Sequence, residues 1–118
     1  MDASQLEKYL LEKKGAIKDF PFGPDTIVFK VCNKMFALIG WKDDVARVNL
    51  KCDPQEAIAL RSMFPSVTPG YHMNKEHWNS VFLNDTVPDP VIRKMADDSY
   101  QLIVKSLRKK DRQSLEEL

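Results

Sequence analysis

Between Thr26 and Lys51 the chain passes through three extended segments joined by turns of only a few residues, and this pattern constrains the fold more than any other feature. Thr26–Val31 is β-branched and aromatic, with Ile27, Phe29 and Val31 on one side and Thr26, Val28 and Lys30 on the other. Met35–Ile39 is continuously apolar, as expected of a strand covered on both sides. Val45–Lys51 alternates, setting Ala46, Val48 and Leu50 against Val45, Arg47, Asn49 and Lys51. A parallel neighbour needs a crossover of roughly a dozen residues or more, so turns at Cys32-Asn33-Lys34 and Gly40–Asp44 leave an antiparallel meander. A doubly wound parallel sheet is disfavoured for the same reason.

Helical signals flank the meander. Ser4 and Glu7 have the spacing of a capping box, and Leu6, Tyr9, Leu10 and Lys13 follow at helical intervals, which places a first helix at about Ser4–Lys13. Phe20-Pro21-Phe22-Gly23-Pro24-Asp25 reads as a loop with two aromatic anchors. Asp53 caps a second helix with Pro54 at its first position and Glu56 three residues after the cap, running to about Met63. Pro65 and Pro69 bracket an extended piece at Val67, and Trp78–Leu83 alternates as another strand. Asn84 and Asp85 turn the chain; Asp89 then caps a long helix opened by Pro90, with Val91, Met95, Leu102, Ile103 and Leu107 as its apolar stripe. Lys109–Leu118 is a short helix or a frayed tail. The expected architecture is α+β, a two-layer sandwich. An antiparallel sheet of about five strands carries helices on one face and leaves the other partly wet, in a single domain over residues 1–118.

Composition narrows the function classes. Folding a chain of 118 residues removes roughly two thirds of its surface from water, enough for one core without disulfides or metal. Lys and Arg total 18 against 17 Asp and Glu, a formal charge of +1, whereas a dedicated duplex binder is usually more basic. No apolar run approaches a membrane span, and Met1–Leu10 lacks the pattern of a secretory signal, so a cytoplasmic monomer without membrane contact is expected. Cys32 and Cys52 belong to no CxxC pair or metal-ligand spacing. On strand ends separated by one intervening strand they would lie about 9 to 10 Å apart, too far for a disulfide.

Phe20-Pro21-Phe22-Gly23, Lys34-Met35-Phe36-Ala37, Asn49-Leu50-Lys51-Cys52 and Pro69-Gly70-Tyr71-His72-Met73-Asn74-Lys75-Glu76-His77-Trp78 resemble the signature stretches of the MmcQ/YjbR family, and Pro88-Asp89 and Asp98-Ser99-Tyr100 extend the match over nearly the whole chain. The resemblance implies a two-layer fold likened to secretion chaperones and frataxins, and to a double-wing DNA-binding form. Asn84-Asp85 stands where relatives often carry Asp-Gly.

Two constellations are candidates for binding. Tyr71–Trp78 holds two histidines, an amide, a cation and two rings. In a nucleic-acid interface Tyr71 and Trp78 would stack on bases, Lys75 would neutralise phosphate, and His72, Asn74 and His77 would offer hydrogen bonds. In a purely structural role the rings would anchor a loop, and Asn74 and His77 would tie down its backbone. Arg47, Asn49 and Lys51 share one strand face and Lys30 can join them, making either a basic stripe or an ordinary solvated face. The five-residue spacing of His72 and His77 beside Glu76 suits no familiar metal pattern, and an acidic ridge of the frataxin kind is missing. Neither GxSxG nor a phosphate-cradling glycine loop occurs. The expectation is a binding module, not an enzyme, without cofactor or metal. Its partner would be DNA, or alternatively a protein or peptide bound as secretion chaperones bind theirs.

Overall fold

The computed structural model describes residues 1–118. In chain order the elements are α1 (Ala3–Leu11), β1 (Ile17–Asp19), β2 (Ile27–Val31), β3 (Lys34–Lys42), β4 (Val45–Lys51), α2 (Pro54–Met63), β5 (Val67–Pro69), β6 (Trp78–Phe82), α3 (Asp89–Ser106) and α4 (Lys109–Glu116). Two tight turns build the meander. Cys32 and Asn33 have φ of 46° and 69°, and Asp43 and Asp44 have 50° and 65°. Paired left-handed residues give a two-residue turn whose twist matches that of the strands it joins. The second turn is therefore shorter than the sequence suggests, because β3 continues through Gly40 to Lys42.

All neighbouring strands are antiparallel, in the order β1-β2-β3-β4-β6-β5. The sixth strand beyond the expected five is β1, three exposed residues too short to show alternation. Val67 lies in β5, and β6 inserts between it and the meander. Phe29, Val31, Ala37, Ile39, Val48, Leu50 and Val81 on one sheet face meet Leu6 and Leu10 of α1, Ala57 and Leu60 of α2, and Ile92, Met95, Ala96, Tyr100 and Ile103 of α3 in one buried core.

Helix boundaries differ from expectation at two ends. Asp2, not Ser4, caps α1: its carboxylate accepts from the Gln5 backbone N–H, and the Gln5 side chain accepts from that of Asp2. The α3 helix starts at Asp89 with Pro88 at the cap and no side-chain cap bond. Its buried stripe runs through Ile92, Met95, Ala96, Ser99, Tyr100 and Ile103, while Val91 and Leu102 are only half-buried. By contrast, α2 has the expected cap, with Asp53 accepting from Gln55 and Glu56. The charged tail is helical and docked: Leu115 is buried against Gly15, which has φ of 73° and where a Cβ would come within 2.6 Å of the leucine Cδ1.

A β-bulge at Phe36 links sheet and helix. Phe29 pairs with Ala37 and Lys30 with Met35, so Phe36 has no partner in β2. Its carbonyl accepts from Ser99 Oγ of α3 at 2.6 Å, and the Ser99 hydroxyl oxygen in turn accepts from the Lys51 backbone N–H at 2.8 Å. The helix hydroxyl thus bridges β3 and β4 where their ladder stops at Ala37–Leu50. The Phe36 ring meets Tyr100 edge-on, with centroids 5.3 Å apart. No helix is long and apolar enough to cross a membrane. Both cysteines are free thiols.

Candidate functional site

The sheet face away from the helices is covered, not wet. Strand alternation turns Val28, Met35, Leu38, Arg47, Asn49, Trp78 and Ser80 toward it. After β5 the chain folds back across these residues as a segment from Gly70 to His77. Its first step requires glycine, since a Cβ on Gly70 would lie 2.7 Å from that of Trp78. Gly70 N–H donates to the Trp78 carbonyl at 2.8 Å, and Tyr71 N–H to Ser80 Oγ at 2.9 Å. Asn49 Nδ2 donates to the Tyr71 carbonyl at 3.0 Å, and Ser80 Oγ donates to Asn49 Oδ1. From the helix side, Arg61 of α2 reaches round the sheet edge, bonding Asn79 Oδ1 at 2.8 Å and the Lys75 carbonyl at 2.6 Å. Lys75 Nζ closes the segment on the Gly70 carbonyl at 2.9 Å.

This covering does not fill the face. A half-open cavity of about 630 Å³ remains between the segment and the Phe20–Pro24 loop. Met35, Leu38 and Met73 supply apolar walls, Phe22 stands at the lining, and Arg47, Asn49, His72 and Asn74 bring polar groups. Its volume lies in the usual range for small-molecule sites. The Arg47 guanidinium carbon lies 3.9 Å from the centre of the Tyr71 ring and 5.9 Å from that of Phe82. No carboxylate pairs with Arg47, and no Asp or Glu lines the cavity. His72, at φ of 58°, sets its ring 4.0 Å from that of Tyr71.

The structure brings together only part of the constellation expected from sequence. Arg47, Asn49, Tyr71, His72 and Asn74 line the cavity. Trp78 does not offer a stacking face: it is 9% exposed, packed with Val28 and Leu38 beneath Met35 and Met73. Asn49 is buried with its amide oxygen and one amide N–H engaged by Ser80 and Tyr71, so it serves first to position Tyr71. Lys30 is on the same face but two strands away and paired with Asp19 at 3.1 Å. Lys75 holds its own loop, His77 is half-buried with its carbonyl taken by Cys52 N–H at 2.7 Å, and Lys51 lies outside the cavity lining. The expected stripe is therefore not a row of free cations. Phe20 and Phe22 are not core anchors either, being 44% and 65% exposed. Sequence reasoning missed Phe22, Thr26, Met35, Leu38, Gly40 and Met73 as lining residues. One signal was present in the apolar run Met35–Ile39, which implied cover on both sheet faces and contradicted a wet one.

The Cys52 thiol is pushed up to about 11 by burial, with the Glu56 and Asp53 carboxylates adding to the effect, which leaves it protonated at neutral pH. No three His, Cys, Asp or Glu side chains converge as metal ligands would.

Comparison with known proteins locates the chain among relatives of the same size. The family model YjbR matches residues 11–102. The uncharacterised protein YjbR of Escherichia coli K12 is 33% identical over the full length of both chains. The uncharacterised protein YbdF of Escherichia coli O157:H7 is 41% identical over 92 residues, 78% of this chain and 75% of that one. A crystal structure of a Deinococcus radiodurans protein with a DUF419 domain superimposes with a TM-score of 0.89 at 36% identity, covering 97% of this chain and 87% of the other. A Pseudomonas syringae crystal structure gives 0.76 at 33% identity, over 86% and 98%.

Proposed function

The chain belongs to the YjbR family, and from that premise we propose that it is a non-catalytic binding module that seats an anionic group of its ligand in the outer-face cavity. The observation that carries this reading is Arg47. A half-buried guanidinium, held over a ring and lining a chamber without a carboxylate, is left with unused donors and an unneutralised charge. Every buried side-chain nitrogen and oxygen in the protein has a partner, so the unbonded Arg47 donors reach solvent at the cavity, where an anion can replace water in a charge-assisted hydrogen bond. Tyr71 is 48% exposed and Phe22 borders the same opening, so rings are available to cover an apolar ligand body. The dye 8-anilinonaphthalene-1-sulfonate, anionic and emissive in apolar sites, tests the reading. It is expected to bind saturably at one site and to bind Arg47→Gln about tenfold more weakly, as loss of a charged hydrogen bond implies. Equal binding by the two proteins would overturn the assignment.

Duplex DNA, which the double-wing likeness implies, finds few free cations here. With Lys30, Lys75 and Asn49 committed to the protein itself, Arg47 and Lys51 are the strip's remaining contributors. At about 0.9 per phosphate contact, log affinity for labelled duplex is expected to fall with log salt at a slope no steeper than about 2. A slope near 4 would reinstate a duplex interface. A protein or peptide partner fits the reading where it presents an acidic group to Arg47.

A further inference from the structure

The chemistry of the cavity narrows the ligand beyond its charge. The Arg47 guanidinium carbon lies 3.9 Å from the centre of the Tyr71 ring, and no protein acceptor takes its N–H donors, which leaves the planar fork for a partner. Two coplanar oxygens match that fork bidentately. No second Lys or Arg lines the cavity, so the site offers one permanent positive charge. A carboxylate carries one negative charge, whereas a phosphate monoester carries about 1.5 to 2 at neutral pH and would be left undercompensated. The walls point to the rest of the molecule. Met35 and Met73 are flexible, polarizable side chains of the kind that pack favourably on aromatic rings, and Leu38 lies with them over the buried Trp78.

Resting on the anion-binding reading above, we propose that the cavity takes an aromatic monocarboxylate, its carboxylate paired edge-on with Arg47 and its ring laid against Met35, Leu38 and Met73. The ligand class follows from one planar cation, no acidic lining residue and a thioether-rich chamber. Asn49 acts at one remove, since its amide bonds Ser80 and the Tyr71 backbone carbonyl and so fixes the residue whose ring lies against Arg47.

Three isosteres separate this proposal from the broader reading. Protein carrying ¹³C-methyl methionine is titrated with 2-naphthoate, 2-naphthamide and 2-naphthyl phosphate, and the Met35 and Met73 methyl signals are followed. Naphthoate is expected to shift both saturably, with the amide and the phosphate each at least about tenfold weaker. Arg47→Lys keeps the charge but loses the fork, and is expected to weaken naphthoate about tenfold while the methyl spectrum of the free protein stays folded and dispersed. Tighter binding of the phosphate than of the carboxylate would overturn the aromatic-carboxylate assignment and leave the anion site intact. Equal binding of amide and carboxylate, or no methyl shift with any of the three, would sink both.

Discussion

Trp78→Ala is expected to lower the unfolding free energy by about 3 to 5 kcal/mol, the usual range for removing a buried aromatic side chain. The residue is 9% exposed and forms the base of the outer-face cluster with Val28 and Leu38, under Met35 and Met73. Its loss leaves a void below the walls of the cavity, so naphthoate binding is expected to weaken together with stability. Urea unfolding followed by circular dichroism measures the first effect. Intrinsic fluorescence adds an internal control, because the only other tryptophan, Trp41, is 46% exposed. A loss below about 1 kcal/mol would mean that the ring bears little packing and is free to stack on a ligand.

The second large effect is expected at a residue with no contact to the cavity. Ser99→Ala removes the hydroxyl that donates to the Phe36 carbonyl at 2.6 Å and accepts from Lys51 N–H at 2.8 Å. Ser99 is fully buried, so both backbone groups are stranded without water. At about 1 to 3 kcal/mol for each unsatisfied buried group, with partial relaxation, a loss of about 2 to 4 kcal/mol is expected. Amide exchange at Lys51 should accelerate while that of Val48, inside the β3–β4 ladder, changes only with global stability. Unchanged exchange at Lys51 would show that the strand end does not depend on the helix.

Local signals were legible wherever the relevant contact lies a few residues away. Asp53 and Pro54 mark the start of α2 because a cap satisfies N–H groups within its own first turn. The same rule misplaced the start of α1, where Ser4-x-x-Glu7 and Asp2-x-x-Gln5 both fit a capping box and the chain uses the earlier one. Along α3 the apolar residues were visible but the buried stripe was not, since it includes Ser99 and Tyr100. A buried serine shows only when its partners do, and Phe36 and Lys51 are 63 and 48 residues away.

The binding face divides along the same line. Alternation in β4 correctly set Arg47, Asn49 and Lys51 on the side opposite Val48 and Leu50. It could not say that Asn49 would hold Tyr71, that Lys30 would be neutralised by Asp19, or that Trp78 would be sealed beneath Met35 and Met73.

What the sequence by itself determined is the antiparallel meander, the helices that follow from caps and periodicity, and which side chains share a strand face. Each depends on bonds and sterics within a few residues. Only the tertiary structure decided that the Gly70–His77 segment folds back over the sheet, that Arg47 is left against Tyr71 with no acid, and that a cavity survives beneath. A strand's period of two says which face a residue occupies; what covers that face is set by packing between segments distant in the chain.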